Sequence, residues 1–147
     1  PDLIQRRLFT VHYHAFASPD YIKRFGEPKT FEDLDNHRLI SFGGNEPSYL
    51  LAAHWLADAG RDGRERRQVH LTVNNIGALQ RAMETGAGIG ILPDYAVDGD
   101  DNLVQVLRET DMPTLESYLV YAEEMRTVAR VQAFRDFLVA KAQRWTY

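Results

Sequence analysis

The chain has 147 residues, 44% of them hydrophobic and 26% charged, with a formal net charge of -4. That is the length of one domain with one core, and its charge gives no global attraction to nucleic acid or anionic lipid. The lack of cysteine excludes a disulfide scaffold, thiol catalysis and cysteine-ligated zinc, and no apolar run is long enough to span a membrane.

Residues 8–17 (LFTVHYHAFA) are rich in β-branched and aromatic types and predict a strand. A short helix follows, with Ser18 as its cap, Pro19 in its first turn and Gly26 as its stop. A second short helix is expected from Thr30, with Asp33 as a capping-box partner. Residues 39–42 (LISF) read as a short strand. Residues 49–59 are ambiguous: Tyr49, Ala52, Ala53 and Leu56 have helical spacing, but nearby Gly and Pro also allow extended chain. Residues 60–67 form a polar loop in which Arg61, Arg64, Arg66 and Arg67 are expected to be solvated.

Val69, Leu71 and Val73 alternate with polar residues, as in a strand. Asn74 and Asn75 end that strand and begin a helix whose buried stripe is Ile76, Leu79 and Met83, with Gly86 as its stop. A buried strand is expected at residues 89–92, closed by Pro93, then a turn at 98–102 and strands at 103–107 and 117–122. The last element is an amphipathic helix with Val128, Val131, Phe134, Phe137 and Leu138 on one face. Strands alternating with helices predict an α/β fold with a mainly parallel central sheet.

The glycines of residues 86–90 (GAGIG) lie between a helix and a following strand, the reverse of a dinucleotide-binding turn, so they are read as permitting a tight turn against neighbouring backbone. His12 and His14 share one side of a strand, but no third ligand is evident, and neither metal nor cofactor is expected. His37, His54 and His70 are scattered and expected to be structural or exposed, and the aspartates at 98, 100 and 101 do not have calcium-loop spacing. No nucleophile elbow, paired acid motif or metal-binding helix points to an enzyme. One constellation remains, residues 73–78 (VNNIGA), where a strand end meets a helix N-terminus. Its free amides and the helix dipole suit a carboxylate or another anion, although the asparagines can equally serve only as caps.

Residues 15–42 (AFASPDYIKRFGEPKTFEDLDNHRLISF) and 71–97 (LTVNNIGALQRAMETGAGIGILPDYAV), followed by NLVQVL and VQAFRDFL, resemble in order the effector-binding domain of LysR-type transcription regulators. The resemblance implies a fold like that of the type 2 periplasmic binding proteins: two α/β lobes joined by crossing strands, with a small ligand in the cleft between them, which the helix start at residues 73–78 suggests is anionic. It implies that residues 1–14 end lobe one and form a crossover strand, 15–114 form lobe two, and 115–147 return to lobe one. The first part of lobe one and a winged helix-turn-helix are then absent from these residues, which fits a chain that opens without Met. The resemblance also implies extended chain at residues 50–56.

Ligand contacts are implied at Phe42 and Gly43, at Asn74, Asn75, Ile76 and Gly77, and at the strand end from Ile91 to Pro93. The function implied is effector sensing that modulates transcription through a DNA-binding domain elsewhere in a bacterial, cytoplasmic protein. The alternative is a type 2 solute-binding protein that delivers a ligand to a transporter. A homodimer is expected, because the apolar face of the last helix needs a cover and most oligomers are two-fold symmetric.

Overall fold

The computed structural model describes residues 2–43 and 55–145. The chain divides into two compact units, one made of Pro1–Val11 and Thr114–Tyr147, the other of His12–Pro113.

In the larger unit, the part of strand β1 (Leu3–Ala17) from His12 onward leads directly into helix α1 (Pro19–Phe25). Ser18 caps α1 by accepting the Tyr21 N–H at 3.2 Å, and Gly26 ends it at φ +85°. The expected capping box at Thr30 forms: the Asp33 carboxylate accepts the Lys29 and Thr30 amides, and the Thr30 hydroxyl accepts the Asp33 amide. The turn it opens (Glu32–Asn36) is a 3-10 helix.

Strand β2 (Ile40–Phe42) pairs in parallel with β3 (Leu71–Val73). Leu39 bridges Ile89 in parallel, so β2 also lies beside the start of β4 (Gly90–Pro93). Strand β5 (Val104–Val106) completes the set. Both β4 and β5 pair with β1, and both pairings are antiparallel.

The expectation of a mainly parallel sheet is therefore corrected: the sheet around β1 is antiparallel. Among the described residues, parallel pairing is confined to β2–β3 and the Leu39–Ile89 bridge. Strand–helix alternation reports only on strands joined by crossovers, which restart at the same end of a sheet. β1 is not produced by such a crossover. It enters at the edge where β4 finishes, since Tyr13 lies opposite Pro93, and so runs against its neighbours.

Alternate residues of the strands supply two cores. On one face Ala15, Ala17, Leu39, Ile89 and Ile91 pack with Tyr21, Leu34 and Leu56. On the other, Phe16, Ile40 and Leu92 pack with Leu79 and Met83 of helix α3 (Ile76–Glu84). The GAGIG glycines do hold backbone close to backbone. A Cβ on Gly88 would lie 2.5 Å from the Arg38 carbonyl oxygen, which accepts the Ile89 N–H at 2.8 Å.

The question of helix or extended chain at residues 49–54 lies outside the described residues. Helix α2 (Trp55–Asp58) is helical, against the extended reading of Trp55 and Leu56. Arg67 explains why that helix ends in place. Its guanidinium donates to the Leu56 and Ala59 carbonyls, to the Phe31 carbonyl and to Asp35. The side chain is 3% exposed, which corrects the expectation that all four arginines of this loop are solvated. After β4 comes the short helix α4 (Asp94–Val97).

In the smaller unit, β1 pairs with strand β6 (Thr114–Ala122), and Arg7 binds Glu116 between them. Phe9 meets Trp145 edge-on, with ring centroids 5.0 Å apart. Helix α5 (Ala129–Ala142) closes the chain. The sequence-based expectation of one buried apolar face on this helix is corrected. Val128, Val131, Leu138 and Ala142 form the more buried side, while Phe134 at its margin and Phe137 beyond it are each 57% exposed. Successive helical residues turn by 100°, so Phe137 lies well over a right angle from Val131.

Candidate functional site

Strands β2, β3 and β4 end at one edge of the larger unit's sheet. Phe42 lies beside Val73, and the Gly43 N–H donates to the Val73 carbonyl at 2.7 Å. The Leu39–Ile89 bridge sets β2 beside β4 at their starts, and in β4 Leu92 pairs with His14 of β1. Val73 with Phe42, and Leu92 with His14, are thus the paired residues near these strand ends. Phe42 lies two residues from Ile40 and His14 two from Phe16, so both face the α3 side of the sheet.

Just past Val73 the chain turns through Asn74 into α3. The Asn75 side chain caps the helix, its oxygen accepting the Ala78 N–H at 3.1 Å. Of the early amides, Leu79 already bonds the Asn75 carbonyl. The Ile76 and Gly77 amides remain as the donors that helix geometry does not use. Asn74, Asn75 and Gly77 are exposed and Ile76 is half-buried. A Cβ on Gly43 would fall 1.6 Å from the Thr72 methyl, so this buried position keeps backbone at the edge with no side chain over it. Pro93 ends β4 and is buried. Ile91 is 2% exposed and belongs to the opposite core, so its side chain does not reach the edge.

The edge also carries residues that the sequence patterns did not single out as a group. His14 Nδ1 lies 2.6 Å from the Asp94 carboxylate, and both side chains are partly exposed. Tyr13, opposite Pro93, has its phenol pKa pushed up, first by burial and then by Tyr95. His14 and Asp94 are 80 residues apart, so only the β1–β4 register brings them together. Among the described residues, no group of three His, Cys, Asp or Glu side chains is placed to hold a metal ion. No described helix is long and apolar enough to cross a membrane.

A sheet edge where strand ends and a helix N-terminus present backbone donors is the usual ligand-binding place of an α/β domain. The LysR substrate binding domain model matches residues 1–143, and the chain belongs to that family, the effector-binding domains of LysR-type transcription regulators. It is 30% identical over 138 residues to the HTH-type transcriptional regulator CrgA of Neisseria meningitidis, covering 91% of this chain and 45% of that protein. An HTH-type transcriptional regulator of Xanthomonas campestris is 31% identical over 144 residues, covering 95% of this chain and 42% of that one. The chain therefore spans less than half the length of these relatives. The solved regulatory domain of CrgA superposes with a TM-score of 0.76 at 30% identity, covering 95% of this chain and 69% of that one. The regulatory domain of AphB from Vibrio vulnificus shares the fold, with a TM-score of 0.70 at 22% identity.

Proposed function

We propose that the larger unit senses a small anionic effector at the edge formed by Phe42, Gly43, Asn74, Asn75, Ile76, Gly77 and Pro93. Binding there alters DNA binding and transcription by a helix-turn-helix part of the same regulator. The observation that carries this reading is the convergence of three strand ends on the unused Ile76 and Gly77 amides. A ligand acts in this way only by binding one arrangement of the regulator better than another. Residues 15–114 are read as the effector-binding lobe, and 1–14 with 115–147 as parts of the other lobe. The contact division at His12–Pro113 supports that assignment.

The relatives are named as transcriptional regulators, which favours sensing over both catalysis and solute delivery to a transporter. We also read the chain as forming homodimers, with Phe134 and Phe137 contributing buried surface.

The effector is found by thermal-shift screening of small carboxylates and phosphates, because a ligand of the folded state raises its stability. Asn75→Asp then tests the site. Aspartate caps as well as asparagine but sets a negative charge where the anion binds. In the intact regulator it should weaken the effector response by about tenfold or more, while melting stays unchanged. Asn75→Ser, which also caps, should respond nearly as the parent does. An Asn75→Asp titration that overlays the parent's would sink the anion site.

A further inference from the structure

His37 is 9% exposed and lies against Tyr21, which is fully buried. The Tyr21 hydroxyl sits 3.0 Å from His37 Nδ1 and also accepts the Arg38 backbone N–H at 2.9 Å. Burial pushes the Tyr21 pKa above its ordinary value, ahead of the opposing influences of Arg38 and Arg24, so the phenol keeps its proton. A phenol has one proton to give, and here it goes to Nδ1. With the Arg38 N–H already on the phenol oxygen, the phenol proton is assigned to Nδ1, and the imidazole is then the neutral form with its hydrogen on Nε2.

The contact lies at the root of β2. The Arg38 carbonyl accepts the Ile89 N–H, and the Ile40 N–H donates to the Ile89 carbonyl, both at 2.8 Å. Tyr21, through Arg38, is therefore tied to the hydrogen bonds that join β2 to β4. We propose that His37 is a proton-operated latch. Neutral, it takes the Tyr21 hydrogen bond and holds α1 against the root of β2. Protonated, it repels that hydrogen, frees Tyr21 and loosens the strand that ends in Phe42 and Gly43. Any consequence for effector binding rests on the site proposed above; the latch itself does not.

Burial and one nearby carboxylate, that of Asp33, act on His37 in opposite directions, and burial is the larger, so its pKa is held below the ordinary value. The Arg24 and Arg38 guanidiniums stack over the neighbouring Phe25 ring and offer an imidazolium no partner. On the β3 side, His70 Nδ1 accepts the Leu39 N–H at 3.4 Å, which makes it the other histidine bonded to this strand's root. A histidine with a lowered folded pKa binds its proton more tightly in the unfolded chain. Its stabilising effect is complete above about pH 6.5 and is lost as pH falls through the folded value.

The test is amide hydrogen exchange on the whole chain between pH 7.5 and 5, corrected for the intrinsic pH dependence, together with an NMR titration of the His37 ring. The opening equilibrium at the Arg38, Ile40 and Ile89 amides should rise by up to about tenfold per pH unit below 6.5. The His37 ring should titrate below its ordinary value. His37→Asn places an amide oxygen near Nδ1 and should remove that slope, and Tyr21→Phe should leave the amides open at every pH. His70→Asn should keep the slope. If His37 titrates at an ordinary value with the three amides indifferent to pH, the latch is overturned, a result the parent chain gives without any variant. A slope that survives in His37→Asn but vanishes in His70→Asn overturns it as well.

Discussion

The two units are built from similar residues but bury them very differently. Every member of both hydrophobic cores lies in the larger unit, where α1, α2 and α3 cover the sheet on both faces. Among the described residues of the smaller unit, only Val11 and Ala142 are buried, while Leu3, Tyr118, Val120, Phe134, Phe137 and Trp145 are exposed. Strand count and cover account for the contrast. Two paired strands and one helix enclose little volume, whereas a sheet with a helical layer on each side excludes water from whole side chains. Exposed apolar surface of this kind is what the proposed homodimer would cover.

Substitutions can break or sharpen this contrast. The largest effect should come from Met83→Ala, which empties a fully buried position between α3 and β4. Urea unfolding should show a loss of about 2–5 kcal/mol. A loss under about 1 kcal/mol would mean that the α3 face is not the tightly packed core described.

Gly88→Ala should come next. The added methyl meets the Arg38 carbonyl oxygen, which is fixed by its bond to Ile89 and cannot swing aside as a side chain would. A cost of about 1–3 kcal/mol is expected, with faster exchange at Ile40 and Ile89.

The smallest effect on chain stability should be that of Phe134→Ala in the smaller unit, within about 0.5 kcal/mol because an exposed ring leaves no cavity. The same variant should shift sedimentation from dimer to monomer. Unchanged assembly would remove Phe134 from the interface, and a large loss of chain stability would show that the ring is buried after all.

Much of the larger unit was legible locally. The Ser18–Pro19–Gly26 frame of α1, the Thr30–Asp33 box and the Asn75 cap involve groups within a few residues of one another. Their chemistry acts at short range, and each formed as read. The ends of β2, β3 and β4 and the turn at Asn74–Gly77 were readable for the same reason, whereas ligand contacts at Phe42 and Gly43 came only from the family resemblance. The His14–Asp94 pair and the burial of Arg67 were not legible, because each depends on register or folding across tens of residues. The α5 face was misread because five apolar positions within one helix do not establish which of them meet a neighbour.

Composition, capping residues and hydrophobic periodicity by themselves determined an α/β chain, its helix starts and the strand–turn–helix at residues 71–84. These follow from backbone sterics and hydrogen bonds between near neighbours. Only the tertiary structure decided that β1 runs against β4 and β5, that Tyr21 reaches His37 and Arg38, and that one unit is filled while the other is open. Strand direction depends on where the chain enters the sheet, and burial depends on what else covers a face. Neither quantity is carried by the residues of a single element.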